Sequence, residues 1–209
     1  MTKSILCFGD SITWGYSPKN GSRLPPEDRW PRVLEGTLEG RVRVIEEGLN
    51  ARTVATDEPS RPNRNGLAML PTLLESHAPL DVVAIMLGTN DSAPSYGLTA
   101  GKIAMNCGAL IRAVNASLAG PGATPPKALL IAPPPLGSLS AEMSLFYGGG
   151  QATSRGLGEA YRTIAKGFGV LFLDAGTVTK VSAVDGVHLD PEGQRALGQA
   201  VSEILRPVL

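Results

Sequence analysis

Five short apolar runs recur along the chain. They are SILCFG (4–9), VRVIEEG (42–48), DVVAIMLG (81–88), KALLIAP (127–133) and VLFLDAG (170–176). Each has strand length and is rich in Val, Ile, Leu or Phe. Three of them are apolar on consecutive positions rather than alternating, the pattern of parallel strands covered on both faces. Between them the period changes to that of a helix. Residues 29–40 put Trp30, Val33, Leu34 and Leu38 on one face, and 65–77 carry Leu67, Leu70, Leu73 and Leu74, with Pro71 expected to bend or shorten that helix. Segments 99–120 and 156–169 fit the same period. A last helix is expected to start with Asp190 as N-cap and Pro191 in its first turn. Strands alternating with helices predict βαβ units and a doubly wound parallel sheet. The 209 residues suit a single domain over 1–209, without internal repeat or linker.

Two stretches break the alternation. Residues 16–29 follow the first strand and 133–150 follow the fourth. Both are long for such connections, and long loops in compact folds are often functional. Both leave from carboxyl ends of strands, where open α/β sheets bind ligands.

Composition narrows the partners. Lys plus Arg equals Asp plus Glu, 19 each. A chain without net charge makes no electrostatic case for nucleic acid or an anionic membrane, so a small neutral substrate is expected. The longest apolar run, 82–87, is far too short to span a membrane. The first apolar run is too short for a signal-peptide core, and a cytoplasmic protein is expected. Cys7 and Cys107 have no metal-binding spacing and are expected as small core residues.

In a parallel sheet all carboxyl ends face one side, and four polar segments gather there: GDS (9–11), EGLNAR (47–52), GTND (88–91) and DGVHLD (185–190). A serine hydroxyl becomes a nucleophile only when a base takes its proton. Of the two histidines, His77 precedes the third strand at the wrong end of the sheet, whereas His188 lies at the right end, three residues after Asp185. That spacing lets the carboxylate hold the imidazole Nδ1–H while Nε2 faces the serine. Ser11, His188 and Asp185 are therefore the candidate nucleophile, base and orienter. Backbone N–H groups of Ser11 and Gly48 and the Asn90 amide are candidate oxyanion donors. Each residue alone has a plainer reading. Ser11 could cap a helix, Asp10 could hold the turn, Asn90 could be a turn residue, and Gly48 could simply end a strand.

The four blocks GDSIT, the glycine of EEGLNAR, GTND and DGVH resemble, in order, the sequence blocks of the SGNH (GDSL-type) hydrolases, over Gly9 to His188. The resemblance implies a flavodoxin-like three-layer α/β/α fold with strand order 2-1-3-4-5. It implies Ser11, His188 and Asp185 as the triad, Ser11, Gly48 and Asn90 as the oxyanion hole, and neither metal nor cofactor. The wording ILCFGDSITWG, VIEEGLNART, IMLGTND, PPPL and VDGVHL is also similar to a bacterial arylesterase/acyltransferase (perhydrolase-like) branch. That branch hydrolyses short-chain esters and transfers acyl groups to alcohols or peroxide.

Trp14, Phe146 and Val187 are candidate walls of an acyl pocket, with core packing as the alternative. Arg52 is expected to anchor a loop carbonyl or carboxylate. The same four blocks also serve carbohydrate acetylesterases and thioesterases. A non-catalytic flavodoxin-like module binding FMN or phosphate is the rival of a different class, although Asp10 disfavours phosphate after the first strand. The Pro- and Leu-containing loops 16–29 and 133–150 suggest a homo-oligomer.

Overall fold

The computed structural model describes residues 2–209. Five strands, β1 (Lys3–Gly9), β2 (Val42–Gly48), β3 (Val82–Met86), β4 (Lys127–Ala132) and β5 (Leu171–Asp174), form one sheet in the order β2-β1-β3-β4-β5. All four pairings are parallel. The helices are α1 (Ser11–Trp14), α2 (Trp30–Thr37), α3 (Gly66–His77), α4 (Ala100–Ala116), α5 (Ala141–Tyr147), α6 (Gln151–Arg155), α7 (Leu157–Phe168) and α8 (Pro191–Leu205).

The central strand shows why the fold has three layers. Successive side chains of a strand point to opposite faces. Leu6 and Phe8 join a core with Leu70 and Leu74 of α3, Ile103 and Cys107 of α4, and Tyr161 of α7. Ile5 and Cys7 point the other way, against Trp30 and Leu34 of α2 and Leu197 and Val201 of α8. Both faces are covered, so the strands can be apolar throughout. Each such fully buried side chain stabilises the fold by about 1.5–3 kcal/mol. Both cysteines are free and buried, in accord with core roles.

Several local expectations change. Pro71 does not shorten its helix: α3 runs from an Asn65 cap, which accepts the Ala68 N–H at 3.2 Å, to His77. Proline removes one ladder bond, and the buried Leu70 and Leu74 on either side of it hold the helix together. Asp190 occupies the N-cap position of α8 but its side chain makes no capping bond. The helix expected over 99–120, α4, ends at Ala116. The stretch 133–150 contains α5, capped by Ser140, whose hydroxyl accepts the Met143 N–H at 3.2 Å. No helix among the described residues is long and apolar enough to cross a membrane.

Candidate active site

Strand β1 ends at Gly9, and the next two residues divide two tasks. Asp10 is the N-cap of α1, its Oδ1 accepting the Ile12 N–H at 2.9 Å. Capping is thus done by the aspartate, and the Ser11 hydroxyl is left for another partner. Ser11 stands in the first turn of α1, where backbone N–H groups have no intrahelical acceptor. One turn later Gly15, at φ +87°, ends the helix in a conformation glycine adopts without strain. Gln194 of α8 braces this turn: its Nε2 donates to Ile12 O at 2.8 Å and its Oε1 accepts the Trp30 N–H at 2.9 Å.

The loop before α8 brings the other members. Asp185 Oδ1 accepts the backbone N–H of Val187 at 2.9 Å and of His188 at 3.0 Å. Its Oδ2 lies 2.6 Å from His188 Nδ1. A carboxylate oxygen accepts, so Nδ1 carries the proton and Nε2 presents its lone pair to Ser11 Oγ, 3.0 Å away. Burial alone would raise the Asp185 carboxyl, but the His188 ring and these two backbone donors outweigh it and hold it below the ordinary carboxylate range. The Tyr16 ring stacks on the imidazole with centroids 4.1 Å apart. His77 pairs instead with Glu47, Nε2 to Oε1 at 2.8 Å.

Asn90 follows β3 and is held at both ends of its amide. Nδ2 donates to the Arg52 carbonyl at 2.9 Å, and Oδ1 accepts the Tyr147 hydroxyl at 2.7 Å. Arg52 is an anchor, as the sequence suggests. Its Nη1 donates to Gly9 O at 2.9 Å and to Glu47 O, tying the ends of β1 and β2, and its guanidinium sits 4.3 Å above the Phe8 ring. Burial lowers its ionisation to about 10, still charged at neutral pH.

Two further carboxylates lie beneath. Asp91 is fully buried and both its oxygens lie 3.0 Å from the Val54 N–H. Burial pushes its carboxyl up to about 7, against that hydrogen bond. Burial likewise raises Asp10 to about 6, although the Ile12 N–H and the nearby His188 and Arg52 pull it down. Asp10 Oδ2 lies by the Thr89 hydroxyl, but the two make no hydrogen bond of normal geometry.

Ser11, Asn90 and His188 open together on a cleft of about 590 Å³. Tyr16, Ala51 and Tyr147 also line it, and none of these three stood out in the sequence. The two long stretches do reach the cleft, one through Tyr16 and the other through residues 142–148. Of the proposed pocket walls, Phe146 lies on the cleft and Trp14 and Val187 do not. Gly15 turns the chain so that Tyr16, not Trp14, reaches the imidazole; Trp14 packs beside Tyr16 with Arg23 over its ring. Val187 is wholly buried, its N–H committed to Asp185.

Gly48 is also off the cleft wall. A Cβ there would stand 2.2 Å from Trp14 N, so its missing side chain makes room for α1, not for a substrate. Ala51, by contrast, lines the cleft at φ +64°, a conformation alanine rarely adopts. Its N–H donates to no group among the described residues. No group of three or more His, Cys, Asp or Glu among the described residues is arranged to hold a metal ion.

Known proteins share this architecture. The family described as GDSL-like lipase/acylhydrolase matches residues 7–196. An arylesterase from Vibrio mimicus is 33% identical over 95 residues, which is 46% of this chain and 41% of that curated relative. The solved aryl esterase of M. smegmatis is 40% identical, with a TM-score of 0.95 over 100% of both chains. A carbohydrate acetylesterase from Sinorhizobium meliloti is 38% identical, also with a TM-score of 0.95 over 100% of both chains. The five-stranded parallel sheet in the order β2-β1-β3-β4-β5 is the SGNH hydrolase fold of these neighbours. By its sequence blocks, its fold and the span of the match, the chain belongs to the GDSL-like lipase/acylhydrolase family of ester hydrolases.

Proposed function

We propose that the protein is a serine esterase for small neutral esters with short, acetyl-type acyl groups, working through Ser11, His188 and Asp185. The observation that carries this reading is the line of hydrogen bonds from Asp185 through His188 to Ser11 at the wall of an open cleft. Asp185 keeps the Nδ1 proton on the imidazole. His188 Nε2 takes the Ser11 proton as Oγ attacks the ester carbonyl. The oxyanion is met by the Ser11 N–H and by the Asn90 N–H not used on Arg52. Of the two backbone candidates for a third donor, Ala51 is favoured over Gly48 because it lines the cleft. His188 then protonates the leaving alcohol, and water releases the acyl group from Ser11. An alcohol or peroxide in place of water makes the same step an acyl transfer, which the Tyr16 ring over His188 favours by shielding the base from bulk water.

A carbohydrate acetylesterase is a second reading. One wall of the cleft is polar, with Glu58, Ser60, Arg61 and Tyr96, and suits a polyhydroxylated leaving group. The likeness to the S. meliloti carbohydrate acetylesterase supports it. Exposed Leu145 and Phe146 at the mouth fit a homo-oligomer, and two free thiols fit the cytoplasm.

The test is turnover of p-nitrophenyl acetate, butyrate and octanoate by wild type and Ser11→Ala. Acetate hydrolysis that falls with chain length and is lost in the variant is expected. Activity surviving in a folded Ser11→Ala protein would end the serine mechanism. Release of acetate from a peracetylated sugar faster than from the aryl ester would favour the second reading.

A further inference from the structure

We propose that Tyr147 is a positioning residue for this acyl transfer: its hydroxyl holds the Asn90 amide in the one orientation that leaves an N–H for the oxyanion. The inference rests on the serine esterase reading and goes beyond it, to a residue on α5 that no sequence block contains.

The Arg52 carbonyl can only accept, so the amide edge 2.9 Å from it is the nitrogen. Oδ1 therefore faces Tyr147, and the Tyr147 hydroxyl, 2.7 Å away, must donate. Burial pushes this phenol well above its usual range, which keeps it a donor. The amide has two N–H groups, and only one is spent on Arg52. The torsion that orients a side-chain amide is soft and roughly two-fold. A single anchor leaves the plane free to rock, whereas two anchors at opposite ends fix it. Oxyanion donors act by being aimed before the charge develops, so rocking costs rate without costing substrate affinity.

The helix that carries Tyr147 is built around this contact. Within α5 only Met143 and Tyr147 are half-buried; the other residues are exposed. They are four apart, on one helical face, and both line the cleft. The bond to Asn90 is the only side-chain hydrogen bond from α5 to another element among the described residues. It joins the fourth strand's loop to the end of the third strand, across the place where the ester must lie.

The test is a double-mutant cycle on p-nitrophenyl acetate hydrolysis with Tyr147→Phe, Asn90→Ala and the pair. Tyr147→Phe is expected to lower kcat about tenfold with KM within about twofold, and Asn90→Ala to lower it about 10²–10³-fold. In the Asn90→Ala background, Tyr147→Phe should change kcat by less than about twofold, because the group it aims is gone. Equal losses in both backgrounds would mean a general packing effect and overturn the proposal, as would unchanged kcat in Tyr147→Phe alone. Ser11→Ala run beside them separates the two failures. If it stays active, the serine mechanism falls; if it is dead while Tyr147→Phe is unaffected, only the positioning role falls.

Discussion

Buried carboxylates at one edge of the sheet have been pushed in opposite directions. Asp185 is held below the ordinary range, while Asp10 and Asp91 are raised to about 6 and about 7. Burial penalises ionisation in all three. What separates them is the partner, together with the shallower burial of Asp185. Asp185 has an imidazole N–H and two backbone donors, whereas Asp91 shares the Val54 N–H between its oxygens beside its own backbone N–H, and Asp10 has one backbone N–H at a single oxygen. The first arrangement keeps a negative charge beside His188, the proposed base; the second uses carboxyls as acceptors that shape the backbone. Position at the carboxyl end of the sheet does not by itself fix what a carboxylate does. Its donors decide.

That contrast predicts which losses appear in rate and which in stability. The largest effect belongs to the hydrogen-bonded line. Steady-state hydrolysis of p-nitrophenyl acetate by His188→Ala should show kcat reduced by about 10⁵–10⁶-fold, with Asp185→Asn less severe at about 10³–10⁴-fold. In the proposed mechanism the amide of Asp185→Asn can steady the imidazole but cannot stabilise the imidazolium formed when Ser11 gives up its proton. If Asp185→Asn were nearly as active as wild type, Asp185 would belong with Asp10 and Asp91 as a shaping residue, and the distinction would collapse.

These same residues were the most legible in the sequence, for a physical reason. Asp185 and His188 are three apart, and Asp10 and Ser11 adjoin a strand end, so their geometry follows from local turns. Apolar runs likewise located all five strands, most plainly β1, β3 and β4, whose residues are buried on both faces. Helix α5 was not visible, since none of its residues is fully buried and no apolar stripe forms. The link from Tyr147 to Asn90 spans 57 positions and has no spacing to detect. Tyr16, not the expected Trp14, reaches His188 because the left-handed turn at Gly15 decides which aromatic faces the imidazole. At Gly48 the backbone of α1 packs closely, and a side chain there would clash with it.

The smallest effect sharpens the other side of the contrast. Asp91 ionises near pH 7 in the fold against an ordinary 3.8. A raised acid favours its neutral form, so its contribution to stability is full below about pH 4 and is lost as the pH rises to about 7. Beyond that the loss is complete and the curve flattens. Asp91→Asn keeps one oxygen for the Val54 N–H and has no charge to acquire. Urea unfolding of both proteins at pH 5 and pH 8 should therefore show the variant gaining on wild type at the higher pH, by on the order of 2 kcal/mol. The gap should close as the pH falls, and the variant should retain Ser11-dependent hydrolysis. A stability difference that did not move with pH would mean Asp91 is ionised in the fold throughout, paired by donors as Asp185 is, and the two sets of carboxylates would no longer differ in kind.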